Sequence, residues 1–218
     1  MHFLSHYYTE LPADNPLFVT ALAIPDLAHG FSKAYNSVIK KAPSPTDENL
    51  RQIHLGILKH YEGDKKFHNS KLFMQHTTLT TQSFMKEGLD RSRLRLSVIA
   101  HIAVEMMIDR HIIFENESVC DDYYKLIVHA DEKMLETYFN HFGLLTAKNS
   151  FFATFKFFTQ SRFLYRLKEI ENIVFALNKL YGSVTKTEFT EDEKKKFVAA
   201  LYNIDNTIRY SWQEILKA

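Results

Sequence analysis

The stretch SVIAHIAVEMMIDRHII, residues Ser97 to Ile113, decides how this chain folds. From Val98 to Ile108 nine of eleven residues are apolar, and they surround a helix on every side. A helix that is hydrophobic all round belongs inside a protein. Yet His101, Glu105 and Asp109 interrupt it at i, i+4 and i+8, which is one narrow stripe. Burying a lone carboxylate costs several kcal/mol or forces its protonation. Glu105 therefore calls for a cation beside it: a metal ion, an Arg or Lys, or a protonated His. The plain alternative is that His101 and Glu105 satisfy each other across one helical turn.

A second segment, NLRQIHLGILKHYEGDKKFHNS, repeats the anomaly. Its apolar stripe runs through Leu50, Ile53, Ile57 and Tyr61, and His60, Asp64 and His68 continue it at one-turn intervals. Gly63, beside Asp64, removes a side chain where another backbone or a ligand can come close. The bland reading of this trio is a solvated face next to Lys59, Lys65 and Lys66. Two helices, each with a histidine followed one turn later by a carboxylate, can present His60, Asp64, His101 and Glu105 as a four-ligand N2O2 set. Such a set suits a divalent ion such as Mn, Fe, Mg or Zn. Asp26, in the apolar TALAIPDLAHG, and His6, in FLSHYY, are the other ionisable residues in apolar surroundings. Asp26 also suits a helix cap, and a lone histidine such as His6 is more often packed than ligating.

The rest of the composition sets limits. With 218 residues, 45% hydrophobic and 24% charged, the chain can bury a core without staples. One cysteine excludes an internal disulfide, and any metal here would be held by imidazole and carboxylate rather than thiolate. A net charge of +1 gives no global field to draw nucleic acid or an anionic membrane. No secretory signal or membrane span is expected, so the expected location is the cytoplasm.

Six glycines and five prolines are few breakers for this length, and no segment alternates with period two. The pattern predicts an all-α single domain over residues 1–218, a bundle of about seven helices. Their expected spans are Asn15 to Ala34, a second from Thr46 or Asp47 to His68, Ser70 to Lys86, and Ser92 to Phe114. Val119 to Asn140, Asn149 to Tyr181 and a last helix from Thr190 complete the set. SFFATFKFFTQSRFLYRL, residues 150–167, reads as a core-building aromatic helix, with a groove for a partner or ligand as the sharper alternative.

The order of these motifs resembles the acyl carrier protein phosphodiesterase family, an all-helical group related to the HD-type metal-dependent phosphohydrolases. That family opens Met-Asn-Phe-Leu-Ala-His, and here Met1, His2, Phe3, Leu4, Ser5 and His6 stand in line. Asp26 and Gly30 follow, then Gly56 and Ile57 leading to His60, Asp64, Phe67 and His68, then His101 and Glu105. The likeness covers Met1 to Ile113. It departs where His68 and His101 replace acidic residues, where Glu105 replaces Asp, and where Met106 replaces His. The resemblance implies an HD-like fold and metal-assisted hydrolysis of the phosphodiester joining 4′-phosphopantetheine to acyl carrier protein. It implies a divalent ion on His60, Asp64, His101 and Glu105, with His68 near it or against phosphate. Asp26 and His6 would be the catalytic pair, Asp26 as a further ligand or general base and His6 as a phosphate or water contact. Acyl carrier protein is then the implied partner. Arg51, Arg91, Arg93 and Arg95 are candidates to meet phosphate or an acidic carrier protein, with a solvated connector as the bland reading, and Lys148, Lys156, Arg162 and Arg166 to form a basic face for an acidic partner. Another small phosphodiester or nucleotide as substrate, and a non-catalytic binding protein using residues 151–167, are the alternatives.

Overall fold

The computed structural model describes residues 1–217, which are all-helical with no strand among them. Twelve α-helices follow in order: α1 (Phe3–Thr9), α2 (Pro16–Leu27), α3 (Phe31–Ser37), α4 (Glu48–His68), α5 (Lys71–Lys86) and α6 (Leu96–Glu115). Then come α7 (Glu117–Val128), α8 (Glu132–His141), α9 (Leu145–Ser161), α10 (Ile170–Thr185), α11 (Glu191–Arg209) and α12 (Trp212–Lys217). Short 3-10 turns occupy Ile39–Lys41 and Phe163–Lys168. No described helix is long and apolar enough to cross a membrane.

The helix count exceeds the expected seven because four predicted helices are each divided, the last of them after Arg209, and because α1 precedes the first. The first breaks at Gly30, whose φ of +74° is left-handed and cheap only for glycine. The Val119 to Asn140 span breaks before Asp131, whose side chain caps α8 through the N–H groups of Lys133 and Met134. The aromatic span breaks at Arg162, in a left-handed conformation that no glycine signals. Gly182 lies inside α10 rather than ending it. Helix α6 begins at Leu96 rather than Ser92, and α9 at Leu145 rather than Asn149, while local chemistry fixes two of the expected starts. Asn15 caps α2 through Leu17 and Phe18, with Pro16 in the first turn where no N–H is needed. Thr190 and Glu193 cap α11 reciprocally.

The chain forms two compact units, each assembled from separated segments. One comprises Met1–Ser5, Lys66–Glu117 and Leu164–Ala218. Its core gathers Phe73, Phe84, Ile99, Val104, Met107, Phe197 and Leu201, all buried, with Phe84 edge-on to Phe197 at 4.8 Å. The buried stripe of α6 lies here, as its composition requires.

The other unit comprises His6–Lys65 and Ser118–Phe163. Leu22, Ile24, Phe31, Ile53, Ile57, Phe139 and Phe151 build its core, with Phe139 packed between Phe31 and Phe151. Phe151, Phe155 and Phe158 are buried, so this face of the aromatic segment builds core, while Phe157 stays exposed. Cys120 is buried in α7. Helices α2 and α4 meet at Gly56, where a Cβ would lie 2.4 Å from the Phe18 carbonyl oxygen and 2.7 Å from Ala21 Cβ. Only glycine allows that approach, and it sets α2 against the helix that carries His60 and Asp64.

Candidate metal centres

In the unit of residues 6–65 and 118–163, three elements converge. α1 supplies His6, the end of α2 supplies Asp26, and α4 supplies His60 and Asp64. The two imidazoles are almost fully buried and stack with centroids 4.0 Å apart. The Asp64 and Asp26 side chains keep 25% and 35% of their surface, so the cluster opens to solvent on its carboxylate side.

His60 Nδ1 lies 2.8 Å from the Leu22 carbonyl oxygen. A carbonyl can only accept, so Nδ1 carries the proton, and in neutral His60 the lone pair is on Nε2. That Nε2 lies 3.4 Å from Asp64 Oδ2 and 3.9 Å from Asp26 Oδ1. A lone pair aimed at two carboxylates is repulsive unless a proton or another cation sits between them. His6 Nε2 is buried without an aligned hydrogen bond, although Asp64 Oδ1 stands 3.3 Å away.

Without a metal, the proton goes to His60. Burial works against its charge, but Asp26 and Asp64 outweigh that and hold its pKa above the ordinary histidine value. Burial and the neighbouring His60 push His6 down to about 3, so it stays neutral. Burial would raise the pKa of Asp64, yet bonding to His6 and His60 keeps it ionised, well below the usual carboxylate range. The two imidazoles and the Asp26 carboxylate have ligand atoms within 4.8 Å of one another, with Asp64 against both rings and one imidazole oriented by a backbone carbonyl, an arrangement that can hold a divalent ion.

In the other unit, His68 closes α4, and His101 and Glu105 lie one turn apart on α6. His68 Nε2 stands 2.9 Å and His101 Nε2 3.2 Å from the same oxygen, Glu105 Oε1. The α-amino group of Met1 is 3.2 Å from that oxygen and 3.4 Å from His68 Nε2. Glu105 does have cationic company, and the ammonium and the imidazoles outweigh burial to keep its carboxyl well below the usual range. His101 is less enclosed than its apolar stretch suggests, with 38% of its side chain exposed.

Asp109, the third member of the α6 stripe, is wholly buried and holds the start of the chain. It accepts from the backbone N–H groups of Leu4 (3.1 Å) and Ser5 (2.8 Å), from Ser5 Oγ (2.5 Å) and from His2 Nδ1 (2.6 Å). These bonds satisfy the opening N–H groups of α1, a helix missing from the sequence prediction. Nothing local marks it, because its cap is a residue about a hundred positions away. A carboxylate in an apolar stripe facing an unsatisfied segment start was the available signal.

The structure thus joins His60 to His6 and Asp26, with Asp64 against both rings, and His101 and Glu105 to His68. Among the candidate cations, Arg93 is bound to Glu193 and to the Glu188 carbonyl, Arg51 to Glu48, and Lys148 to Glu136. Those three are occupied locally. No protein-family model matches the chain, and no curated protein or solved structure matches it.

Proposed function

We propose that this chain is a divalent-metal-dependent phosphodiester hydrolase, with an HD-like arrangement of its helices and its centre at His6, Asp26, His60 and Asp64. The observation that carries the metal reading is the fixed tautomer of His60, whose Nε2 faces two carboxylates beside the buried Nε2 of His6. The phosphodiester reading rests on the order of motifs from Met1 to Glu105, which makes the phosphopantetheine linkage of acyl carrier protein the first substrate to test.

A divalent ion at such a centre lowers the pKa of water and polarises a phosphoryl oxygen. The chain's own residues do the remainder. Leu22 orients His60, and His60 and Asp64 hold the ion from the buried side. His6, kept neutral by burial, offers a further lone pair. Asp26, the most exposed of the four, is placed to accept a proton at the mouth.

Stripped protein reloaded with Mn2+ should convert holo acyl carrier protein to its apo form, read by mass spectrometry as loss of the phosphopantetheine arm. Activity on a generic diester such as bis(p-nitrophenyl) phosphate, without action on the carrier protein, would instead favour a small diester or nucleotide substrate. Failure to retain any divalent ion removes the enzymatic reading.

A further inference from the structure

We infer that His68, His101 and Glu105 form a second metal site that binds its own ion and prefers Zn2+-like ions over Mg2+. This goes beyond the proposed hydrolase and does not depend on it.

Two imidazole nitrogens and one carboxylate oxygen lie within 4.8 Å of one another. His101 and Glu105 share one face of α6, and His68 comes from the last position of α4. Both Nε2 atoms aim at Glu105 Oε1, where the Met1 nitrogen also stands, so three nitrogens surround one carboxylate oxygen. The ammonium alone would balance the charge of Glu105. It does not account for two imidazoles turned to the same point.

A carboxylate oxygen with two in-plane lone pairs is oversubscribed by three donors, whereas an ion at the centre accepts a lone pair from each ligand. The surroundings suit that exchange. Glu105 is enclosed, which strengthens its attraction for a cation. His68 and His101 keep more than a third of their side-chain surface, so an ion can enter from solvent. Phe73 stands edge-on to the His101 ring at 4.8 Å and packs against His68, giving the two rings an apolar wall. Two imidazoles with one carboxylate form the donor set of borderline ions, Zn2+ first, while Mg2+ prefers oxygen.

The test uses the full chain, stripped with a chelator and titrated with Zn2+ alone, with bound metal measured after desalting. Two equivalents are expected for the parent. His101→Ala and His68→Ala should each lose one and keep the other, and His60→Ala should lose only the other. Co2+ gives a second readout: a visible band from these two imidazoles and their carboxylate, added to that of the first centre, lost in His101→Ala and kept in His60→Ala. His101→Gln, isosteric enough to keep the fold, should lose the same band. The inference is overturned if His101→Ala and His68→Ala bind as much Zn2+ as the parent. It is equally overturned if the parent holds a single ion that either His60→Ala or His101→Ala abolishes. Loss of the only ion in His101→Ala with none lost in His60→Ala would keep this site and remove the hydrolase centre instead.

Discussion

The carbonyl oxygen of Leu22 accepts a hydrogen bond from His60 Nδ1 at 2.8 Å, and this contact decides which nitrogen of His60 faces Asp26 and Asp64. The next turn of α2 contains Pro25, which has no N–H to offer Ala21. One residue after that gap in the ladder, the Leu22 carbonyl is met by a side chain from another helix.

The protonation of His60 makes metal binding pH-dependent. Its pKa lies above the ordinary value, so at lower pH a proton occupies Nε2 and must leave before an ion binds. Affinity at this centre should rise as pH rises through the raised pKa, with one proton released per ion, measurable by calorimetry in buffers of different ionisation enthalpy. The metal-free protein has the opposite dependence. Its stabilisation from the His60 pair is complete below the unfolded histidine value and is lost as pH rises through the folded one. His60→Gln should remove both trends and weaken metal binding by at least about 100-fold, the upper end for disturbing a ligand's support.

Gly56→Ala tests the approach of α2 to α4. Alanine favours a helix by about 1 kcal/mol over glycine in an exposed position. Here its Cβ would fall inside the contact distance of a backbone oxygen and of Ala21. The clash should win, giving a net loss of about 1–3 kcal/mol and a lower melting temperature by calorimetry. An unchanged or raised melting temperature would show that the helices separate at little cost.

Asp109 carries no assigned chemistry, yet its replacement should be costly. Asp109→Ala leaves the N–H groups of Leu4 and Ser5 and the His2 ring without their acceptor in a buried place. A loss of about 3–5 kcal/mol in urea unfolding is expected, with Asp109→Asn in between because it keeps an acceptor oxygen.

His111 supplies an acid-sensitive element away from the first centre. Burial is the main cause that depresses it, assisted by Arg110 and Arg209 against the opposing pull of Asp205, to about 4. A depressed pKa means stability that is present above the unfolded value near 6.5 and lost as pH falls toward 4. The loss should be on the order of 3 kcal/mol, and His111→Gln should flatten the stability curve in that window. A variant with the parent's slope would assign the acid sensitivity elsewhere.

The fold class was legible in α6, where apolar residues on every side left burial as the only outcome. The helix starts near Asn15 and Thr190 were legible because their caps act within one turn of chain. The break at Arg162 was not, since a left-handed arginine is held by its surroundings rather than favoured by its own chemistry. In the candidate centres, the one-turn spacing of His60 with Asp64 and of His101 with Glu105 gave two pairs whose side chains do lie against each other. The partners were harder to read. His6 comes to lie on His60, and His68 on Glu105, through packing between helices, which no spacing within one segment encodes.

Cys120, enclosed in α7, is the chain's single thiol. It can therefore serve as a timer without any engineering. A thiol-reactive dye in excess would label it only during transient openings of the surrounding helices, so the labelling rate reports how often they breathe. Comparing that rate with and without a divalent ion would show whether occupancy quiets this half of the protein, on a timescale that equilibrium unfolding does not reach.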